Sequence, residues 1–181
     1  MRRLPFAGLE RWLRRALPLL AALLALPIPA TAASPDGITF TNALVIGGVG
    51  RSGRDTVHTD AVEAQLVTGQ WRTPQAGDKL IAPDDRAQVW EAVSANAEGW
   101  FEHRAFRGGY ALTTVTLDRP RTLILDAAGH SSVYVNGELR AGDPYANGYV
   151  LLPVVLPAGP SEFRFSVARG RLRARLTEPK G

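Results

Sequence analysis

The apolar positions change their spacing along the chain, and the change predicts its organisation. Residues 16–29 (ALPLLAALLALPIP) are apolar throughout. From residue 108 onward the apolar positions alternate, or bunch into short runs between turn residues. YALTTVTL (110–117) predicts a strand that stops at Asp118-Arg119-Pro120-Arg121, a good turn. TLILDA (122–127) predicts the next strand, with a break at Ala128-Gly129-His130. In SSVYVNGELR (131–140), Asn136-Gly137 tolerates the positive φ angles of a type I′ turn, whose twist matches a hairpin. AGDPYANG (141–148) predicts a long loop. YVLLPVVL (149–156) is apolar on both faces and predicts a buried strand, with Pro153 a local irregularity. PAGPSE turns the chain. EFRFSV then sets Phe163, Phe165 and Val167 on one face against Glu162, Arg164 and Ser166 on the other. RLRARL repeats the pattern, with Leu172, Ala174 and Leu176 inward and Arg171, Arg173 and Arg175 outward. Short strands at regular spacing predict a mostly β sandwich or barrel.

The middle of the chain reads differently. TDAVEAQLV (59–67) predicts a short helix capped by Thr59, with Val62 and Leu66 on one face. Residues 84–97 (DDRAQVWEAVSANA) fit either a second helix or a strand pair around Val89-Trp90-Glu91. No internal repeat or low-complexity segment is present.

The apolar run near the start belongs to an export signal. Arg2, Arg3, Arg11, Arg14 and Arg15 precede or flank it, and Ala30-Thr31-Ala32 offers the small residues of a cleavage site. Pro18, Pro27 and Pro29 interrupt the run, which is short for a membrane span. The expected layout is a signal peptide at 1–32 and one β-sandwich domain at 33–181, periplasmic or extracellular. Membrane attachment enters only if the signal stays uncleaved. Export also changes the charge balance. The whole chain has 21 Lys+Arg, 17 Asp+Glu and a formal net charge of +4. The signal holds five of those Arg and one acid, Glu10, so the mature part is formally neutral. The basic balance is therefore no argument for nucleic acid. Zero cysteines exclude disulfides and thiolate metal sites, so the core has to suffice without staples.

Gly48, Gly50 and Gly53 spell G-x-G-x-x-G directly after Ala43-Leu44-Val45-Ile46. A dinucleotide loop needs a helix immediately afterwards and a second parallel strand ending in an acid about 20 residues on. Here Trp71-Arg72-Thr73-Pro74 lies at that distance, with no β run and no acid. The expectation is a strand and a glycine-rich corner, with no cofactor. His58, His103 and His130 are scattered and lack metal-ligand spacing. Asp126, His130 and Ser131 are too close in sequence to converge as a triad, and GRSG is not a nucleophile elbow. Asp55, Asp60 and Asp143 are the acids that a structural calcium would use, although an exposed Asp in a loop usually forms a turn. Trp71, Trp90 and Trp100 are expected in the core.

Residues 121–176, RTLILDAAGHSSVYVNGELRAGDPYANGYVLLPVVLPAGPSEFRFSVARGRLRARL, resemble the galactose-binding-domain-like jelly roll of sugar hydrolases. That fold carries a similar VNG hairpin and a later glycine-led strand. Here Gly159-Pro160-Ser161-Glu162-Phe163 departs from the pattern, with Pro-Ser where Glu-Asn is common. Three stretches, LVIGGVGRSGRDTVHTDAVEAQLVTGQW, RGGYALTTV and GHSSVYVNGELRAGDPY, are similar to the non-catalytic N-terminal region of exported bacterial α/β-hydrolases, the prolyl-oligopeptidase-like serine peptidases. Together they reach from Leu44 to Tyr145. The resemblance implies a jelly-roll β-sandwich with one or two short helices. It carries no catalytic activity over, because the chain has no peptidase domain.

The implied role is a non-enzymatic exported module that binds carbohydrate or another surface ligand, or that serves a hydrolase or peptidase domain as an accessory. A structural or protein-interaction domain without a small ligand is the alternative, and a small exported hydrolase a third. The candidate ligand site is the loop at 141–148. Tyr145 offers a ring to stack on a sugar, Asp143 and Asn147 offer groups for paired hydroxyls, and Arg140 stands at its mouth as a donor. N-terminal sequencing of the exported protein is expected to begin at Ala33; a mature protein still starting at Met1 would mean an anchor.

Overall fold

The computed structural model describes residues 33–34, 37–50 and 60–180. The expected signal peptide at 1–32, together with Gly53, Asp55, His58 and Thr59 of the glycine-rich segment, lies outside the described residues. Strands follow in the order β1 (Ala33–Ser34), β2 (Gly37–Thr39) and β3 (Asn42–Ile46), then helix α1 (Ala61–Val67). Next come β4 (Lys79–Ile81), β5 (Ala87–Val89), β6 (Glu91–Ser94) and β7 (Phe101–Glu102). The long strands are β8 (Gly109–Leu117), β9 (Arg121–Ala128) and β10 (His130–Val135), and β11 is short (Glu138–Ala141). The series ends with β12 (Leu151–Leu156), β13 (Gly159–Val167) and β14 (Arg171–Thr177).

The strands form two six-stranded antiparallel sheets. One runs β1-β2-β14-β9-β12, with β7 also paired to β14; the other runs β11-β10-β13-β8-β3-β6. Strands β4 and β5 make a separate two-stranded ribbon. The main core lies between the sheets. Leu123, Leu125, Val154, Leu156, Leu172 and Leu176 come from the first sheet, and Val45, Val115, Val133, Phe163, Phe165 and Val167 from the second. Phe40, on the link between the sheets, packs its ring 5.2 Å from that of Phe163. The period-2 alternation read along β13 and β14 thus delivers one face of each strand to this core.

The outer face of the second sheet is covered as well. Leu44, Ile46, Tyr110 and Leu112 point away from the main core and bury themselves against Val49, Val62, Leu80 and Trp90. Residues 60–90 therefore form a cap with its own small core. The segment that was open to either a helix or a strand pair at 84–97 forms two strands. Strand β5 pairs with β4 and β6 pairs with β3, so Trp90 sits between them and drops into the cap. Trp90 is buried as expected, whereas Trp71 and Trp100 are only half-buried.

Several boundaries differ from the sequence expectation, each for a physical reason. Helix α1 is capped by Asp60, whose Oδ1 accepts from the N–H groups of Val62 and Glu63 at 2.8 and 3.0 Å. The run at 149–156 is not a buried strand. Strand β12 stands at the edge of its sheet, with Leu151 and Val155 facing out and Val154 and Leu156 facing in. An edge strand accommodates Pro153, which lacks an N–H to donate. Residues 159–162, expected as turn, already belong to β13, with Gly159 opposite Leu117 of β8. The break after β9 is a single residue: Gly129 (φ 93°) passes the chain from one sheet to the other. A Cβ there would stand 2.2 Å from the Arg171 carbonyl oxygen.

The hairpin β10–β11 forms as the Asn-Gly pair predicts. Asn136 and Gly137 both have positive φ (49° and 87°), and Val135 pairs with Glu138. A Cβ at Gly137 would meet nothing within 4 Å, so substitution there is opposed by backbone conformation alone. Gly137→Val is expected to lower the unfolding free energy by at least about 1 kcal/mol, measured by urea denaturation, with the folded spectrum retained.

Candidate functional site

The loop after β11 is built around Asp143. Its carboxylate is buried, and Oδ1 and Oδ2 accept from the backbone N–H groups of Asn147 and Gly148 at 3.1 and 2.6 Å. Burial alone would raise the Asp143 pKa, but these N–H groups and the nearby His130 hold it below the usual value. Asp143 therefore shapes the loop and does not offer its carboxylate to a ligand. Asn147 is exposed, and so is Arg140, which is paired with Glu138 at 2.5 Å. Tyr145 stands out from the loop with 66% of its surface exposed. The Arg169 guanidinium lies over its ring, 4.2 Å from the centroid. Of the four residues expected at this site, Tyr145 and Asn147 thus face solvent in one turn, Asp143 supports them from beneath, and Arg140 is engaged elsewhere.

A second feature adjoins the loop and was not visible as a site in the sequence. Arg171 and Arg173 project from the outer face of β14, while the alternate residues Leu172 and Ala174 are buried on the other face. Both guanidinium groups lie over Trp100, at 4.3 and 4.8 Å from its ring. Strand β14 pairs with β7 on one side, which brings Trp100, the residue just before β7, beneath them. Arg175, further along, is committed to Asp126, at 2.6 Å. The alternating arginines were legible as one exposed strand face. The tryptophan beneath them was not, because it comes from a distant part of the chain.

Beneath the cap lies a third polar cluster. Arg164, 1% exposed, is ion-paired with Glu162 at 2.5 Å and lies 3.8 Å from the Trp71 ring. Glu162 Oε2 also accepts from Trp71 Nε1 and from the Thr73 hydroxyl, at 3.3 and 2.9 Å. Tyr110 donates to Asp60 and Tyr134 to Glu63, each at 3.1 Å. Burial and then these carboxylates push both phenol pKa values up, so both hydroxyls stay protonated as donors. Apart from the Arg164–Glu162 pair, which lies within β13, these contacts join the cap to the sheet, and the cluster reads as a clasp.

The glycine-rich turn is a corner. The strand before it, β3, pairs antiparallel with both β6 and β8 and so belongs to no βαβ unit. A Cβ on Gly47 would stand 2.7 Å from the Ala105 Cα, and one on Gly109 would stand 2.1 Å from the Ile46 carbonyl oxygen. The glycines at the end of β3 and the start of β8 let three stretches of backbone touch. Asp126, His130 and Ser131 do not converge: Asp126 holds Arg175, Ser131 bonds to Ser166, and His130 packs its ring edge-on against Phe165 at 5.3 Å. Among the described residues, no group of three His, Cys, Asp or Glu is placed to hold a metal ion. No family model matches the chain, and neither a curated protein nor a solved structure does.

His130 gives the loop a pH signature. Its ring is buried, and neither nitrogen has a hydrogen-bond partner among the described residues. Burial lowers its pKa from 6.5 to about 4, against the opposing pull of the Asp143 charge. The unfolded chain therefore binds a proton on this residue before the folded one does. Its contribution to stability is complete above pH 6.5, falls as the pH drops toward 4, and levels off below. Urea denaturation at pH 7.5 and 4.5 is expected to show a loss that His130→Leu reduces by about 2 kcal/mol.

Proposed function

We propose that this protein is an exported, non-catalytic β-sandwich module that binds a glycan or a similar surface ligand at the end carrying the 141–148 loop. The finer reading of the sandwich as a galactose-binding-like jelly roll belongs to the same proposal. The supporting observation is Tyr145: a large ring held out in solvent by a loop whose backbone is fastened from below by Asp143. An exposed ring on a pre-formed loop presents a flat apolar face at little entropic cost, which suits the apolar face of a sugar. Asn147 in the same turn supplies a side-chain amide for hydroxyl groups.

A second reading, the accessory or interaction module, draws on the edge of the first sheet. Strand β12 ends that sheet, and Leu151, Val155 and the preceding Tyr149 are exposed along it. Such an edge offers backbone pairing and apolar side chains to a hydrolase or other protein partner.

A glycan array with the exported protein separates the two. Binding that falls about tenfold or more in Tyr145→Ala, with the melting temperature unchanged, is the expected result. A silent array, or binding indifferent to Tyr145→Ala, would remove the loop as the site and favour docking through β12.

A further inference from the structure

We propose that the ligand is an acidic polysaccharide, and that Arg171 and Arg173 on the outer face of β14, with Arg169 in the turn before it, bind its carboxylate or sulfate groups. The inference rests on the glycan reading above and extends its site from Tyr145 along the strand.

The geometry is that of a prepared row of anion receptors. Arg171 and Arg173 are exposed at alternate positions of β14, which sets them about 6.7 Å apart, and Arg169 is exposed in the turn just before the strand, where Gly170 has φ 86°. Each guanidinium is laid over an aromatic ring: Arg169 over Tyr145, Arg171 and Arg173 over Trp100. A guanidinium resting on a ring is restrained by it and keeps N–H groups for bidentate contact with a planar carboxylate or a sulfate. The restraint also removes much of the side-chain freedom that a free surface arginine would lose on binding.

Among the described residues the charges are locally uncompensated. Among the described residues Arg175 has Asp126, whereas Arg169, Arg171 and Arg173 form no ion pair. Glu102 stands opposite Arg171 on β7, and Glu98 lines a cleft of about 280 Å³ with Arg173 and Arg175. Neither acid pairs with the row. With residues 1–32 removed, the remaining chain has as many acids as bases, so this row is a local feature and not part of a general positive field.

A polysaccharide fits better than a nucleic acid. Nucleic acid binding on a flat strand face relies on free aromatic faces that stack on bases. Here Trp100, the ring beneath the strand face, is already covered by Arg171 and Arg173. What the row offers outward is planar charge at strand spacing, suited to a repeating anion.

The test is titration of the full exported protein with polygalacturonate, dextran sulfate, neutral dextran and single-stranded DNA, at low and at moderate salt. Binding to one or both of the acidic polysaccharides, weakened by salt and not competed by neutral dextran, is expected. The polygalacturonate and dextran sulfate arms decide between carboxylate and sulfate. Arg171→Gln combined with Arg173→Gln should weaken binding at least about tenfold with an unchanged melting temperature. Arg171→Lys with Arg173→Lys keeps the charge and loses the planar fork, and should lose most of the affinity. No binding to either acidic polymer, tighter binding to DNA than to both, or full affinity in the lysine variant would overturn the proposal. Acidic binding that needs Arg171 and Arg173 but ignores Tyr145→Ala would keep the proposal and remove the Tyr145 loop. Neutral glycans that need Tyr145, with no response to the acidic polymers, would do the reverse.

Discussion

Strand β13 must bury a charged side chain and apolar ones at alternate positions, and most of the architecture follows from that. Phe163, Phe165 and Val167 fill the space between the sheets, while Arg164 points the other way and is just as completely buried. An isolated charge in that position would be too costly to keep, because the interior offers nothing like the hydration it loses. The protein meets the cost with Glu162, two residues earlier on the same face, and with the Trp71 ring laid across the guanidinium. Removing one member of such a buried pair costs about 3–5 kcal/mol in comparable cases, because the other is left unpaired. The pair fixes where the cap sits: Trp71 and Thr73 have to reach Glu162, and the chain from α1 to β6 is drawn over the sheet to do so.

The cap explains features that look unrelated along the chain. Strand β3 is apolar at consecutive positions because both its faces are covered, by the first sheet and by the cap. The tyrosines at 110 and 134 have hydroxyls that pin helix α1 through Asp60 and Glu63. Gly47, the residue after β3, is small because Ala105 and Gly109 come against it.

The surface that could meet a ligand lies away from this clasp, at the end of the molecule where the 141–148 loop and the start of β14 meet. Much of its raw material was legible in the sequence. Tyr145 in a polar loop and the alternating arginines of β14 are local patterns, and local patterns survive folding when the residues stay exposed. Asp143 shows the limit of that reading. As a loop acid it looked available, yet the same short-range chemistry that favours Asp in turns uses up both its oxygens on backbone N–H groups. His130 shows another, since nothing in AAGHSS marks a histidine whose two ring nitrogens are shut away from water.

By itself the sequence determined the elements whose physics is local: the strands of the C-terminal region, the two faces of β13 and β14, and the Asn136-Gly137 turn. Alternation of apolar residues and the preference of Asn-Gly for positive φ do not depend on what lies across the fold. Only the tertiary structure decided which faces meet water. Residues 43–46 and 151–156 are both apolar runs, yet the first is buried on both sides and the second lies at a sheet edge with Leu151 and Val155 in solvent. The difference comes from strand order and from the cap, and both are set by pairings between residues far apart in the chain. For the same reason Trp100 beneath Arg171 and Arg173, and Trp71 over Arg164, emerged only once the strands were in register: a ring and a charge separated by more than 70 residues leave no mark of their contact in the local pattern of either.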